Sequence, residues 1–305
     1  MNAMHVKELG RSGVFVPEVG LGTWDYRGGA RLLRKGLDAG ALLIDTAESY
    51  GTEEVVGEAL RGMRERVFLA TKVSPEHFRA ADVKRSVDAS LQRLGVEFVD
   101  LLQLHQPNPK VPLAETMGAL EEMVQAGKVR FLGVSNFSVA QLQEAQQAVQ
   151  RCAIVSNQVR YSVIDRTIEK GLLQYCQAAG VTVIAYSPLG RGLDRIRDCD
   201  PEGVIAAMSR ATGRSAAQIA LNWCLCRDRV VAIPKGGTEP HILDICGASG
   251  WRLTGEQIAE LDGKIQYRHR TRFDALVRRA VPGPLQTVAR RALERLPKGV
   301  RRRLT

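Results

Sequence analysis

The sequence LLIDTAESYG, residues 42–51, places an apolar run directly before an aspartate and, five residues later, a tyrosine. Two later runs have the same design: VFLATK at residues 67–72 ends in a lysine, and VDLLQLH at residues 99–105 ends in a histidine. If these runs are neighbouring parallel strands, the polar residues at their ends meet at one mouth of one sheet. In an eight-stranded α/β barrel, the carboxyl ends of the strands are where catalytic residues lie.

The four residues that end these runs are Asp45, Tyr50, Lys72 and His105, and together they suit proton transfer through a phenol. A tyrosine hydroxyl has an ordinary pKa of about 10, which is high for an acid working near pH 7. A nearby ammonium stabilises the phenolate and lowers that pKa. A carboxylate beside the lysine keeps the ammonium charged, and a histidine at the same mouth can orient a carbonyl oxygen or relay a proton.

Each residue alone also has a structural explanation. Asp45 could cap the following helix, Lys72 could be a solvated strand end, and His105 could be a satisfied structural histidine. Their joint placement, each at or just after the end of a strand-like run, favours the catalytic interpretation.

Strand-like and helix-like segments alternate along the chain, and the strand candidates are mostly continuous apolar runs, as expected of strands buried on both faces. Glycines at expected helix ends support the helical segments. The alternation predicts a (β/α)8 TIM barrel preceded by a β-hairpin over 6–22. The predicted barrel strands are 19–23, 41–46, 67–73, 99–105, 129–135, 154–160, 181–187 and 230–235, and the predicted helices are 30–39, 53–62, 80–94, 112–126, 138–150, 168–179 and 215–226.

The 305 residues are 45% hydrophobic, which is ample for a sizeable core. No run of 18 apolar residues is present, and the first seven residues lack an apolar signal region, so we expect a cytoplasmic protein. The six cysteines show neither a CxxC pair nor a Cys/His ligand spacing, and we interpret them as reduced thiols with no metal.

The net charge of +10 is concentrated at the carboxyl end. Residues 268–305 hold 12 of the 43 Lys and Arg residues and two of the 33 Asp and Glu residues, so the remaining chain carries 31 of each sign. The sequence therefore predicts a neutral barrel domain over 1–267 and a basic amphipathic extension over 268–305.

A set of short motifs stands in order along the chain: GLGTW at 20–24, IDTA at 44–47, YG at 50–51, TK at 71–72, LQLH at 102–105, GVSNF at 133–137, NQ at 157–158, YSPLG at 186–190 and IPK at 233–235. Together these motifs resemble the aldo-keto reductase family. The resemblance spans about residues 5–263, and the agreement of the motifs in register is highly specific. The resemblance implies an (α/β)8 barrel that reduces a small carbonyl substrate with a nicotinamide cofactor.

By this resemblance, Tyr50 is the general acid, Lys72 lowers its pKa, Asp45 pairs with Lys72, and His105 holds the carbonyl oxygen. The resemblance further implies that Tyr186 stacks on the nicotinamide, although a core aromatic at a strand end is the alternative. The cofactor-binding residues implied are Gly22, Thr23, Trp24, Asp45, Ser135, Asn136, Gln158, Tyr186, Ser187, Leu189, Gly190, Ile233, Lys235, Gly237, Thr238 and His241.

The adenosine end departs from the family pattern. Gly236 stands where the family often has serine, His241 where it often has the arginine for the 2′-phosphate, and Ile245 where it often has asparagine. Arginine offers phosphate a permanent bidentate fork, which histidine does not. NADPH remains the expected cofactor because Lys235 and Thr238 are present, while NADH or dual use stays open.

The loops at the barrel mouth are short, and we expect a shallow, open pocket that accepts small aldehydes broadly. Arg27 and Arg191 could favour an anionic substrate or could be solvated loop charges. The predicted substrate-pocket residues are Trp24, Tyr26, Tyr50, His105, Gln106, Phe137 and Leu189.

Beyond Tyr267 the resemblance fades, and residues 285–296 have the pattern of a basic amphipathic helix. Three roles stay open for this tail: a helix docked on the barrel, contact with a membrane surface or acidic partner, and nucleic-acid binding. Nucleic-acid binding is disfavoured, because the tail has one aromatic residue after Tyr267 and no nucleic-acid motif.

Three classes of function fit a barrel of this kind. The leading one is an NAD(P)H-dependent reductase of aldehydes or ketones. A nucleotide-sensing regulatory or scaffold subunit is the alternative, although a pure sensor need not retain a proton donor. A metal-dependent isomerase or dehydratase is disfavoured, because no carboxylate/histidine cluster ends the strands.

Overall fold

A computed structural model describes residues 3–268 of the chain. An antiparallel hairpin precedes an eight-stranded parallel sheet, and the sheet strands follow one another in chain order. The hairpin strands are β1 (Val6–Glu8) and β2 (Phe15–Pro17). The sheet strands are β3 (Leu21–Gly22), β4 (Leu43–Asp45), β5 (Phe68–Val73), β6 (Val99–Leu104), β7 (Val129–Ser135), β8 (Ile154–Arg160), β9 (Thr182–Tyr186) and β10 (Val230–Ile233).

The first and last sheet strands meet and close the barrel. Val19 forms a parallel bridge with Ala232, and the Gly20 amide donates to the Ala232 carbonyl at 2.8 Å. Further along, the Gly22 amide donates to the Pro234 carbonyl at 2.9 Å. The predicted (β/α)8 barrel and its amino-terminal hairpin are both confirmed.

Helices connect the barrel strands and pack outside them. Most predicted helices agree with the structure within a few residues, while the segment predicted over 168–179 contains a 3₁₀ turn at Thr167–Glu169 before its α-helix. The helices are α1 (Gly29–Asp38), α2 (Glu53–Leu60), α3 (Ala80–Leu94), α4 (Leu113–Gln125), α5 (Val139–Ala148), α6 (Leu172–Ala179), α7 (Leu193–Asp198), α8 (Val204–Thr212), α9 (Ala216–Leu225), α10 (Glu239–Cys246) and α11 (Gly255–Lys264).

Two apolar layers hold the fold together. The larger layer lies between strands and helices, and the smaller one fills the barrel interior. Leu9 and Val16 of the hairpin region belong to the interior cluster, together with Phe68 and Leu101. The hairpin therefore closes the amino-terminal end of the barrel, which leaves the opposite end open for a site.

The predicted basic extension over 268–305 lies outside the described residues apart from Arg268. The Arg268 amide donates to the Ile164 carbonyl at 3.3 Å. Within residues 3–268, no helix is both long and apolar enough to cross a membrane. All six cysteines are free thiols.

The contact between α2 and α3 requires glycine at position 57. A Cβ atom there would overlap the Leu94 carbonyl, whereas a Cβ at Gly118 in α4 would meet no atom within 4 Å. We expect Gly57→Ala to lower the free energy of unfolding by about 1–3 kcal/mol through overpacking. The matched change Gly118→Ala should raise it by up to about 1 kcal/mol, because alanine is the better helix former. Urea denaturation of both variants checks this, and equal effects would contradict the assigned contact.

Candidate active site

The mouth at the carboxyl ends of the strands contains a buried ion pair. Lys72, at the end of β5, donates from Nζ to Asp45 Oδ1 at 2.5 Å and to the Thr46 carbonyl at 2.8 Å. The lysine side chain is fully buried. Burial alone would lower the pKa of Lys72, but Asp45 and the Tyr50 hydroxyl outweigh burial and raise it. The amine is therefore charged at neutral pH.

Tyr50 and His105 complete the predicted set of four residues. The Tyr50 hydroxyl lies 3.3 Å from Lys72 Nζ and 3.4 Å from His105 Nε2. The tyrosine and histidine rings meet edge to face with centroids 5.4 Å apart. The structure thus brings together all four residues that the sequence placed at the strand ends.

The pKa shifts assign a protonation state to each group. Burial raises the pKa of Tyr50; Lys72 opposes this shift without cancelling it, and Asp45 adds to it. Lys72 therefore acts on the tyrosine pKa in the predicted direction, but burial outweighs it, and the phenol keeps its proton at neutral pH. Burial and the Lys72 charge lower the pKa of His105 to about 4, so its imidazole is neutral.

Two buried glutamines brace the second oxygen of Asp45. Gln158 donates from Nε2 to Asp45 Oδ2 at 2.7 Å, and Gln103 donates to the same oxygen at 3.2 Å. Gln103 is fully buried and pairs in register with Lys72. Sequence reasoning missed this residue, although a polar side chain two positions before His105, within an apolar run, was the available signal.

A cavity of about 920 Å³ extends from this polar centre across the mouth. Its walls include most of the residues implied as cofactor contacts and several that were not predicted, among them Arg160 and Asp244. The Arg160 guanidinium lies over the Tyr186 ring at 5.2 Å. The predicted residues on the walls are Gly22, Thr23, Trp24, Asp45, Tyr50, His105, Ser135, Asn136, Gln158, Tyr186, Ser187, Leu189, Ile233, Lys235 and His241.

The amide and hydroxyl groups near Tyr186 form one network. The Tyr186 hydroxyl donates to Asn136 Oδ1 at 2.9 Å, and Asn136 Nδ2 donates to the His105 carbonyl at 3.1 Å. Ser135 Oγ donates to the Gln158 carbonyl at 2.9 Å. Of the side chains implied for binding a carboxamide, Asn136 therefore contacts Tyr186 directly, and Ser135 joins the network through Asn136.

Several predicted residues lie off the cavity wall. Tyr26 and Phe137 are buried in the outer core, and the Tyr26 hydroxyl donates to the Gly29 carbonyl at 3.0 Å. Gln106 is exposed outside the cavity. Proximity to a strand end suggested these three substrate contacts, but none of the three is among the residues that line the cavity.

Three implied cofactor contacts also lie off the wall. Gly190 packs against Ile164, and Gly237 has open space around it. Thr238 is the amino-terminal cap of α10, where its Oγ1 accepts from the His241 amide at 3.4 Å.

The cavity also carries most of the backbone strain in the described chain. Five non-glycine residues within 3–268 have positive φ, and four of these five line the cavity. Such conformations cost about 1–3 kcal/mol each and concentrate at functional sites. The four are Asp25 (51°), Asn136 (63°), Ser187 (49°) and Arg191 (72°).

Charged residues in and near the loop between β3 and α1 are paired. Lys235 donates to the Asp25 carbonyl at 2.9 Å, and its Nζ lies 3.6 Å from the Asp25 carboxylate. Arg27 contacts the same carboxylate at 3.4 Å and is highly exposed, while the Arg191 guanidinium lies 5.3 Å from the Trp24 ring centroid.

Residues 3–268 hold no group of three or more side chains arranged to bind a metal ion.

The buried ion pair, with a tyrosine and a histidine beside it, lies at the carboxyl end of the strands, where barrel enzymes carry their catalytic residues, and indicates a barrel enzyme. A profile of the Aldo/keto reductase family matches residues 18–266. Methylglyoxal reductase YeaE of Escherichia coli (strain K12) is 38% identical over 261 residues, covering 82% of this chain and 91% of that protein. The chain therefore belongs to the aldo/keto reductase family and is an oxidoreductase.

Solved structures agree with this assignment. The thermostable aldo-keto reductase Tm1743, in complex with the inhibitor epalrestat, is 39% identical with a TM-score of 0.79, covering 85% of this chain and 99% of its own. An aldo/keto reductase from Klebsiella pneumoniae, in complex with NADP and acetate, is 37% identical with a TM-score of 0.79, covering 88% of this chain and 98% of its own.

Acidification should destabilise the protein through His105. The unfolded histidine has a pKa near 6.5 and the folded one near 4, so the unfolded chain binds the proton first as pH falls. We expect the free energy of unfolding to decrease between about pH 6.5 and 4, and to decrease less steeply in His105→Gln. Urea denaturation across this range measures both slopes, and identical slopes would exclude His105 as the source.

Proposed function

We propose that this protein reduces a small aldehyde or ketone to the alcohol with NADPH, and that Tyr50 donates the proton. The observation that carries the proposal is the placement of the Tyr50 hydroxyl within 3.4 Å of both Lys72 Nζ and His105 Nε2. A carbonyl oxygen at this point would meet one proton donor, one buried cation and one neutral imidazole.

The cavity walls fit a nicotinamide dinucleotide. Ser135, Asn136 and Gln158 offer hydroxyl and amide groups to a carboxamide, and Tyr186 offers a ring for stacking. A Cβ atom at Gly22 would lie 2.7 Å from the Ile233 carbonyl oxygen, so the close approach of β3 to the end of β10 beside the cavity requires glycine. Once bound, NADPH would supply the hydride that a carbonyl carbon needs.

The amino terminus of α10 and Lys235 fit the phosphates at the adenosine end. Backbone N–H groups at a helix start attract anions, and Lys235 adds a positive charge. The Klebsiella relative was solved with NADP, which supports NADPH as the cofactor of this chain. Gly236 lies between Lys235 and α10, and glycine suits this position because a Cβ atom there would overlap Ile242.

The protein's own groups account for the proton transfer. The Tyr50 phenol holds its proton at neutral pH, and Lys72 stabilises the phenolate left after donation. His105 is neutral and can donate a hydrogen bond from Nε2 to the carbonyl oxygen. Asp45, braced by Gln103 and Gln158, keeps Lys72 charged and in place.

The cavity and the relatives support the choice of substrate class. The mouth beside Trp24 is open, since this side chain is 53% exposed. The relative named methylglyoxal reductase makes small oxoaldehydes the first candidates, together with a panel of simple aldehydes.

Replacing the proton donor tests the mechanism. Tyr50→Phe removes the hydroxyl but keeps the ring against His105, and we expect kcat to fall by about 10²- to 10⁴-fold. The assay is NADPH oxidation with a small-aldehyde panel, with NADPH binding measured by fluorescence titration as the control. Retained turnover in Tyr50→Phe would exclude this tyrosine as the acid.

A second substitution tests the adenosine end. His241 lies at the start of α10 on the cavity wall. We expect His241→Arg to tighten NADPH binding by about 10-fold, because a guanidinium forms charge-assisted bidentate bonds with phosphate. NADH affinity is the matched control and should not change. A variant with unaltered NADPH affinity would refute the placement of the 2′-phosphate beside this residue.

A further inference from the structure

Glu48 opens the 3₁₀ turn Glu48–Tyr50, two residues before the proposed acid, and its side chain is only 8% exposed. Its Oε1 accepts from the Ser74 amide at 2.5 Å and lies 3.0 Å from His77 Nδ1. Its Oε2 accepts a hydrogen bond from Ser86 Oγ. One carboxylate thus contacts three side-chain or backbone groups from outside its own turn.

These partners belong to the segment that carries Lys72. Ser74 follows the end of β5 by one residue, His77 closes the 3₁₀ turn Pro75–His77, and Ser86 lies in α3. The carboxylate therefore ties the turn that bears Tyr50 to the strand end that bears Lys72. The distance between the Tyr50 hydroxyl and Lys72 Nζ decides how well the ammonium stabilises the phenolate.

The interactions of Glu48 are charge-assisted. Burial would raise the pKa of its carboxyl group, but hydrogen bonds from Ser86, Ser74 and His77 outweigh burial and lower it. The group is ionised at neutral pH, and hydrogen bonds to an ionised acceptor are about twice as strong as neutral ones.

We propose that Glu48 is a positioning residue, which holds the Tyr50 hydroxyl against Lys72 and His105 by clamping the tyrosine turn to the segment after β5. The inference rests on the reductase function proposed above. Glu48 does not touch the space where a carbonyl would lie, since it is absent from the cavity walls. A misplacement of about 1 Å can cost about 10²-fold in rate, so a clamp outside the cavity can control turnover.

Glu115 provides a matched control. Its carboxylate also bridges to the start of α3, accepting from the Ala80 amide at 3.1 Å and from Arg79 Nη1 at 3.0 Å. Glu115 lies in α4, so this bridge joins α4 to the start of α3 and does not involve the turn of Tyr50. Glu115→Ala therefore removes a bridging carboxylate, one more exposed than that of Glu48, without releasing the tyrosine.

Glu48→Gln separates clamp geometry from charge. Its amide oxygen can still accept from Ser74 and His77, and its Nε2 can donate to Ser86 Oγ, because a hydroxyl both donates and accepts. We expect kcat to fall about 10- to 100-fold in Glu48→Ala but to stay within about threefold of wild type in Glu48→Gln and Glu115→Ala. NADPH affinity should be unchanged in all three variants, because neither Glu48 nor Glu115 lines the cavity.

A turnover-independent measurement accompanies the kinetics. Carbon-13 labelling of the tyrosine rings gives a Tyr50 NMR signal, identified by its loss in Tyr50→Phe. We expect this signal to shift in Glu48→Ala and to stay in place in Glu48→Gln and Glu115→Ala. If wild type turns over no carbonyl, the reductase function fails, while the NMR comparison still decides the clamp.

Three results would overturn the inference. The first is an equal loss of kcat in Glu48→Ala and Glu115→Ala, which would indicate general destabilisation. The second is a loss of kcat in Glu48→Gln as large as that in Glu48→Ala, which would show that the charge of Glu48, rather than its hydrogen-bond geometry, supports turnover. The third is an unmoved Tyr50 signal in Glu48→Ala.

Discussion

The buried contact between Lys72 and Asp45 is the constraint on which the active-site end of the barrel depends. Removing an ammonium and a carboxylate from water costs several kcal/mol per ion, and only close pairing with further hydrogen bonds repays it. Asp45 meets Lys72 through one oxygen and Gln103 and Gln158 through the other. These partners lie on β4, β5, β6 and β8, so the pair is satisfied only when four strands are in register.

The same ion pair sets the charge of its neighbours. Its ammonium helps keep His105 neutral and opposes, without reversing, the effect of burial on Tyr50. The centre therefore holds one cation, one anion, a protonated phenol and a neutral imidazole. Under the proposed function, this distribution would suit proton donation to a carbonyl oxygen that gains negative charge.

The sequence predicted the parts of this structure that depend on pattern. Continuous apolar runs located all eight barrel strands, because strands buried on both faces leave that signal, and their polar ends located Asp45, Tyr50, Lys72 and His105. The helices α7, α8, α10 and α11 were not predicted, although Val204, Ile205 and Met208 show a buried helical face in α8.

Side-chain direction and net electrostatics were harder to predict. Tyr26 and Phe137 follow strand ends in sequence yet pack into the outer core, because position along a chain does not fix which way a loop residue faces. The Tyr50 pKa required the balance between burial and two opposite charges, which spacing does not give. Gln103 and Glu48 act through contacts 58 and 26 residues away along the chain, which one-dimensional patterns do not reveal.

The barrel closes where its first and last strands meet, and several hydrogen bonds cross this junction. Backbone bonds join Gly20 to Ala232 and Gly22 to Pro234, and Lys235 reaches Asp25 above them. A dinucleotide lying between Gly22 and Lys235 would span the one junction of the sheet that joins segments more than 200 residues apart. Cofactor occupancy and completion of the fold would then be thermodynamically linked, so that cellular NADPH supply would influence how long each molecule survives proteolysis.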